Sequence, residues 1–307
     1  MPMLARKMEV EKIEWASSTL KTRELPKTVY RGLILHLEMT VTNSTATITA
    51  DTIAGAISKL DIVINGQDTI MSLPGWMLFF MNKKDFSIAP PSTIADTNGA
   101  GRVNKVTMYL PFAYSRAVSP SDGLLDLRGV SSVTLQITWS SATGTAIEMG
   151  TGCTITSGEM QIDTDEFMNV PADANFSRHE LSFISESPTA TGMRNINLDY
   201  GGNNQYQRLF IFTRDSSDVF SDSEISKVGV RSRSFFYMNQ DIERLYNQVV
   251  SFYSIAHDTG VYVIDFTRDG RLTQRLDARG LNELVLEATV ATADGTIYVL
   301  KDKAIYL

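Results

Sequence analysis

The chain has 307 residues, a formal net charge of −7, 43% hydrophobic and 21% charged residues, the balance of an ordinary soluble globular protein long enough for two domains of roughly 150 residues. No apolar run reaches the roughly 18–20 residues that span a bilayer, and the N-terminus lacks the apolar core and small-residue cleavage site of a signal peptide. One cysteine, Cys153, excludes an internal disulfide, three scattered histidines (His36, His179, His257) argue against a metal centre, and the acidic balance argues against a general nucleic-acid binder.

These features make synthesis in a cytosol the expectation. The glycosylation-like triplets Asn43-Ser-Thr45 and Asn175-Phe-Ser177 then read as turn residues. Residues 1–27 stand apart, with six basic side chains against four acidic ones, including Arg6, Lys7 and Lys12. Leu4, Met8 and Trp15 loosely share a helical face, so residues 4–15 are expected as a short helix or a free arm.

From Tyr30 the apolar period becomes two. Leu33, Leu35, Leu37, Met39 and Val41 alternate with Ile34, His36, Glu38 and Thr40, which predicts a long half-buried strand with His36 on its polar face. Leu60, Ile62 and Ile64 continue in strand register and end at the tight-turn pair Asn65-Gly66. Trp76–Met81 is too apolar for a loop and predicts a short buried helix. Residues 87–104, with Pro90, Pro91, Gly99 and Gly101, predict a long exposed loop.

Val106, Met108, Leu110 and Phe112 alternate again, as do Val133, Leu135, Ile137 and Trp139, and residues 153–167 read as a further strand. There Asp163 and Asp165 would share a face and are weak candidates for a calcium ion, solvated strand-edge charges being the preferred account. Val170-Pro-Ala-Asp-Ala-Asn175 predicts a linker. Beyond it come a strand at Leu181 and Phe183, a Gly/Asn-rich loop at 191–205, a strand at 209–212 and a Ser/Asp-rich loop at 213–224. Ile242, Leu245, Tyr246, Val249, Tyr253 and Ala256 predict an amphipathic helix with Asp241 as its N-cap. Strands at 261–266, 283–290 and 296–306 complete the pattern.

The chain also repeats itself. Leu125-Asp-Leu-Arg-Gly129 and the strand after it return as Leu276-Asp-Ala-Arg-Gly280 with its own strand, at an offset of 151. Three shorter echoes come in the same order: Val106–Phe112 with Gly260–Phe266 (offset 154), Ile57–Ile62 with Ile225–Val230 (168), and Tyr30–Leu35 with Tyr206–Ile211 (176). An ordered set with a steadily falling offset predicts two copies of one domain, the first with longer loops. In the repeated turn, Asp126 and Asp277 are expected to bond backbone amides, Arg128 and Arg279 to brace them, and Gly129 and Gly280 to supply a positive φ.

Catalytic signals are lacking. Asp258-Thr-Gly260 matches the aspartic-protease triplet, but it runs from a helix into a strand and has no second copy, so a glycine-ended turn accounts for it. Nucleophile elbow, P-loop and His-Glu-x-x-His patterns are absent, and no carboxylate pair is singled out. The reading is of a non-enzyme without a cofactor.

Two β-rich halves, each with a helix between strands, and the run Tyr109-Leu-Pro-Phe112 followed by Leu125-Asp-Leu-Arg-Gly129 resemble the double jelly-roll major capsid proteins of tailless, often membrane-containing icosahedral viruses. Gly260–Phe266, Asp269-Gly-Arg-Leu272 and Leu276–Gly280 look like the matching part of a second roll. The resemblance implies an all-β chain of two tandem eight-stranded jelly rolls, each with a short inserted helix: an arm at 1–27, rolls at 28–169 and 176–307, and a linker at 170–175. It implies a homotrimer of pseudo-hexagonal outline tiling a virion shell made in the host cytoplasm. Implied partners are penton or minor capsid proteins and, through Arg6, Lys7 and Lys12 of the arm, a neighbouring subunit or internal membrane lipids; sequence-specific nucleic acid is not among them. The loops at 87–104 and 185–205 would face outward or join the trimer. Rival readings are a peptide N-glycanase-like double jelly-roll amidase, which one cysteine and no signal disfavour, and a carbohydrate-binding module, for which the aromatics lack visible clustering.

Overall fold

The computed structural model describes residues 5–43, 47–95, 99–114, 116, 122–144, 152–170, 175–176, 178–268 and 270–305. The chain divides into two compact units, the first ending at His179 and the second running from Glu180 to Tyr306. Of the expected linker, residues 171–174 lie outside the described residues, as do Leu4 and residues 96–98.

Unit 1 is built from β1 (Ala5–Glu14), β2 (Leu20–Glu24), β3 (Val29–Asn43), helix α1 (Ala50–Ala54), β4 (Ile57–Ile64), β5 (Asp68–Leu73), helix α2 (Gly75–Phe86), β6 (Ser92–Thr93), β7 (Gly99–Pro111), β8 (Asp122–Asp126), β9 (Val133–Trp139), β10 (Cys153–Phe167) and β11 (Asn175–Phe176). Its strands form two facing sets, ordered β1-β10-β3-β7 and β2-β9-β4-β5. Unit 2 contains β12 (Arg178–Glu186), which begins in unit 1, then β13 (Gly192–Asn197), β14 (Asn204–Arg214), β15 (Ile225–Ser232), β16 (Phe235–Asp241), helix α3 (Ile242–Tyr253), β17 (Val261–Asp265), β18 (Leu276–Asp277), β19 (Val285–Val290) and β20 (Thr296–Ile305). Its orders are β12-β20-β14-β17 and β13-β19-β15-β16.

These orders are the same when strands are matched by place. β1, β2, β3, β4, β5, β7, β9 and β10 correspond in turn to β12, β13, β14, β15, β16, β17, β19 and β20, and α2 corresponds to α3. Each unit is an eight-stranded jelly roll with a helix between its fifth and sixth strands. All four sequence echoes fall on matched strands: β3 with β14, β4 with β15, β7 with β17, and β8–β9 with β18–β19.

Burial follows the alternation. In β3, Leu33, Leu35, Leu37, Met39 and Val41 are at most 1% exposed while their neighbours Ile34, His36, Glu38 and Thr40 are half-buried. In β9, Val133, Leu135, Ile137 and Trp139 point inward in the same way. α2 extends beyond the expected Trp76–Met81 and is buried nearly all round, so its apolar residues form no stripe. Its Asn82 acts as a strand surrogate: Nδ2 donates to the Tyr109 carbonyl at 2.7 Å and Oδ1 accepts the Tyr109 amide at 2.6 Å. That pairs backbone groups on the side of β7 away from β3. α3 is amphipathic as predicted, with Leu245, Val249 and Tyr253 buried in the unit-2 core and Ile242 and Tyr246 packed against it. It ends at Tyr253, so Ala256 lies beyond it, and Asp241 holds the N-cap position without a side-chain cap bond.

Three expectations are corrected. Ala5–Glu14 is a strand, not a helix or free arm, because its backbone pairs antiparallel with β10 and its charged side chains face solvent from a sheet edge. The loop expected at 87–104 contains β6 and the start of β7. The loop expected at 191–205 contains β13, where only Ile196 is buried; its pairing with β19 overrides a composition poor in strand formers.

The second unit carries a buried ion pair. β14 is buried on both faces, and a bulge between Tyr206 and Arg208 interrupts its ladder with β20. Arg208 and Asp302, both 0% exposed, meet through Nε and Nη2 at 2.8 and 2.6 Å, with the guanidinium 5.0 Å from the Phe210 ring centroid. Asp302→Ala leaves that guanidinium buried without its counter-charge and is expected to lower unfolding free energy by about 3–5 kcal/mol, read from the shift in urea midpoint.

Candidate functional site

The repeated turns have one geometry. In unit 1 the Arg128 amide donates to Asp126 Oδ1 at 3.1 Å, Nε to Oδ1 at 2.9 Å and Nη2 to Oδ2 at 2.6 Å. In unit 2 the corresponding Arg279-to-Asp277 distances are 3.0, 2.9 and 2.6 Å. Both turns dock on the same strand of their unit: Leu125 pairs with Tyr30 and Asp126 with Val29, as Leu276 pairs with Tyr206 and Asp277 with Gln205. The two tyrosines are buried and tied by their hydroxyls to nearby carbonyls, Tyr30 to Pro26 at 2.6 Å and Tyr206 to Asp199 at 2.9 Å. The bidentate arginine holds both aspartates below their ordinary range: its side-chain hydrogen bonds dominate, and the amide bond and charge reinforce them against desolvation.

The glycines were expected to supply positive φ. Neither does: Gly129 and Gly280 lie outside the left-handed region, and a Cβ at either would meet nothing within 4 Å. Gly260 is the opposite case, with φ +68° and a Cβ position 2.5 Å from the Thr213 carbonyl, so Asp258–Gly260 is a turn that only glycine fits. Its amide donates to Asp222 Oδ1 at 2.7 Å, an atom that also accepts Tyr262 Oη at 2.7 Å and meets His257 Nε2 at 2.9 Å. Burial pushes the Asp222 carboxyl up, but these bonds outweigh it and the net direction is down.

Asp163 lies on the polar face of the β1-β10-β3-β7 sheet, with Asp165 two residues on. Asp163 Oδ2 is 3.1 Å from His36 Nε2, whose Nδ1 meets Thr107 Oγ1 at 3.1 Å. Asp165 Oδ2 accepts Tyr109 Oη at 3.0 Å. The two carboxylates thus have separate protein partners, and among the described residues no group of three or more His, Cys, Asp or Glu is placed to hold a metal. Arg6 donates from Nε at 2.9 Å to the buried Glu166, and Lys12 Nζ meets Glu159 at 2.6 Å, a bond that raises the lysine above its ordinary value. Lys7, between them on β1, is exposed. Glu14, Glu159 and Glu38 stand in register across β1, β10 and β3, with Lys12 and Lys105 neutralising part of the row.

Phe235, Phe236 and Tyr237 open β16 and are 64%, 39% and 38% exposed, so aromatic surface is clustered after all. The signal was the bare run Phe-Phe-Tyr after Arg231-Ser-Arg-Ser234, which reads as core until its strand is seen to be a sheet edge.

Residues 183–303 match the family model of the viral coat protein P2 C-terminal domain. The whole chain superposes on the STIV MCP with a TM-score of 0.79 at 13% identity, over 98% of this chain and 97% of that one. For the major capsid protein P2 from bacteriophage PM2 the values are 0.66 and 10%, over 99% and 98%. For a chain of the PBCV-1 virus capsid they are 0.67 and 11%, over 99% and 94%. A search of curated protein sequences gives no match.

The fold is the double jelly roll of viral major capsid proteins. In this double jelly roll the family match covers most of the second roll, and the first shares its strand order and the hydrogen-bond pattern of its repeated turn. Neither a glycan-processing amidase nor a carbohydrate-binding module is favoured.

Asp277→Ala removes the acceptor for the Arg279 amide, Nε and Nη2 on an exposed turn and is expected to cost about 1 kcal/mol, whereas Gly280→Ala should stay within about 0.5 kcal/mol; chemical denaturation of both variants checks the contrast. Asp126, Asp199, Asp222 and Asp277 all titrate below the ordinary 3.8 in the folded chain. Their contribution to stability is therefore fully present above that value and is lost as pH falls through the lowered values. Thermal melts should be flat in this respect from neutrality to about pH 5 and fall steeply below pH 4; a midpoint that rises below pH 4 would contradict the assignment.

Proposed function

We propose that this chain is a viral major capsid protein that forms homotrimers of pseudo-hexagonal outline and tiles the icosahedral shell of a virion. The observation that carries the reading is the duplication. Two jelly rolls of identical strand order sit in one chain, and the second matches a viral coat protein domain. A protomer with two equivalent rolls gives a trimer six similar units around its axis, which suits hexagonal tiling. The role is structural, and the shell would add penton or minor capsid proteins at positions this chain does not fill.

Arg6, Lys7 and Lys12 belong to a strand, with two of the three already paired to carboxylates. That supports contact with a neighbouring subunit more than with anionic lipid, which calls for unpaired basic charge.

Light scattering on the purified protein should give three times the 34.0 kDa of the chain, or shell-sized particles. A single-chain mass at all concentrations up to about 100 μM, well above the range of stable oligomers, would overturn the reading.

A further inference from the structure

Two positions that the duplication makes equivalent are completed differently. Tyr109 on β7 lies opposite Ile34 of β3, and Val263 on β17 lies opposite Phe210 of β14. The sequence echoes match the same residues, at offsets of 154 and 176. In each ladder a backbone bond fixes the alternation: Phe112 N to the Arg31 carbonyl at 2.8 Å, and Phe266 N to the Gln207 carbonyl at 3.0 Å. Tyr109 and Val263 each stand three residues before that bond, so both turn their N–H and C=O away from the partner strand.

In unit 1, Asn82, the eighth residue of α2, answers both groups with its amide. α3 has the same length of twelve residues and the same left-handed serine after it, Ser254 at φ +52° where α2 has Ser87 at φ +56°. Its eighth residue is Val249, which is buried and carries no polar atom. Among the described residues the outward N–H and C=O of Val263 therefore have no partner. Beside them is a cavity of about 80 Å³ between α3, β16 and β17, lined also by Val249 and Gln240. Oε1 of Gln240 is buried without a partner.

Buried backbone groups are nearly always paired, so the open ones at Val263 call for an occupant. The cavity offers one donor, the Val263 N–H, and two acceptors, the Val263 carbonyl and Gln240 Oε1. A primary carboxamide is the complement, with one acceptor oxygen and two N–H donors in one plane. A carboxylate has no hydrogen for the two oxygens, and an ammonium has no lone pair for the amide. The volume holds roughly two to three waters at about 30 Å³ each, or one such group in their place. Arg268 is the exposed side chain of the lining, its guanidinium 3.4 Å from the Phe252 ring centroid. A long side chain resting on a ring face is a cover that can swing aside.

We infer that the cavity between α3 and β17 is a binding site for a primary carboxamide, supplied by a small free amide or by a glutamine or asparagine side chain of a peptide. The ligand takes in unit 2 the place that Asn82 fills from within unit 1. The inference is independent of how copies of the chain associate.

Crystals of the unmodified protein soaked in propionamide, or in propionate as a control of the same shape, give the first test. Propionamide should occupy the cavity with its oxygen at hydrogen-bond distance from Val263 N, and propionate should not. Water alone in the cavity, or equal occupancy by propionate, would overturn the site. Calorimetry with Ala-Gln-Ala blocked by acetyl and N-methylamide then separates the sources. Tighter binding of this peptide than of propionamide assigns a protein side chain, and the reverse assigns a free amide; equal binding of the matching Ala-Glu-Ala peptide would count against both. Val249→Asn restores the residue that unit 1 carries. It should abolish propionamide binding and slow hydrogen exchange of the Val263 amide about fivefold, the effect of one net hydrogen bond. A folded Val249→Asn chain that still binds propionamide would contradict the assignment.

Discussion

Each roll depends on one ladder: the last strand of the unit laid antiparallel against the third. In unit 1 this is β10 on β3, with Phe167 opposite Val29 and Cys153 opposite Asn43; in unit 2 it is β20 on β14, with Ile305 opposite Asn204 and Thr296 opposite Arg214. The paired residues are at least 82 positions apart in the chain, so loop-closure entropy is spent before any of these contacts form. Such topology folds slowly and as a whole. Once the ladder exists, the first strand adds on its outer side and the sixth on the other, and the apolar face of the sheet is presented to the strands of the second layer. The buried side chains of β3 and β9 are the two halves of that sandwich.

The repeated Leu-Asp-x-Arg-Gly turn belongs to this same framework. It enters the seventh strand of each unit after pairing its Leu with a buried tyrosine at the start of the third, so it fastens the second layer to the ladder strand at one end. The Asp–Arg grip is internal to the turn and mostly solvent-facing, which makes it modest in energy. Its value is geometric. It fixes where the chain leaves one sheet for the other, and that requirement is identical in both copies.

Much of this was legible because a one-sided strand writes its burial into alternate residues. The runs Leu33–Val41, Val106–Phe112 and Val133–Trp139 gave their inward faces directly, and the internal echoes gave the duplication without any reference to structure. What stayed hidden had physical causes. Ala5–Glu14 and Gly192–Asn197 are strands only because β10 and β19 offer them backbone partners; their own side chains bury little and leave no pattern. α2 is buried all round, so its length could not be read from a period. Gly129 and Gly280 show no positive φ, and nothing in the structure explains why glycine stands there. In β16, the sequence showed the aromatics Phe235–Tyr237 but not their exposure, which depends on β16 lying last in its sheet.

The most direct test is single-particle electron microscopy of the assembled protein at a resolution that separates strands. The proposed function predicts a closed three-copy ring with six jelly rolls around its axis. Isolated two-roll particles, or a two-fold dimer joined through identical surfaces, would contradict it.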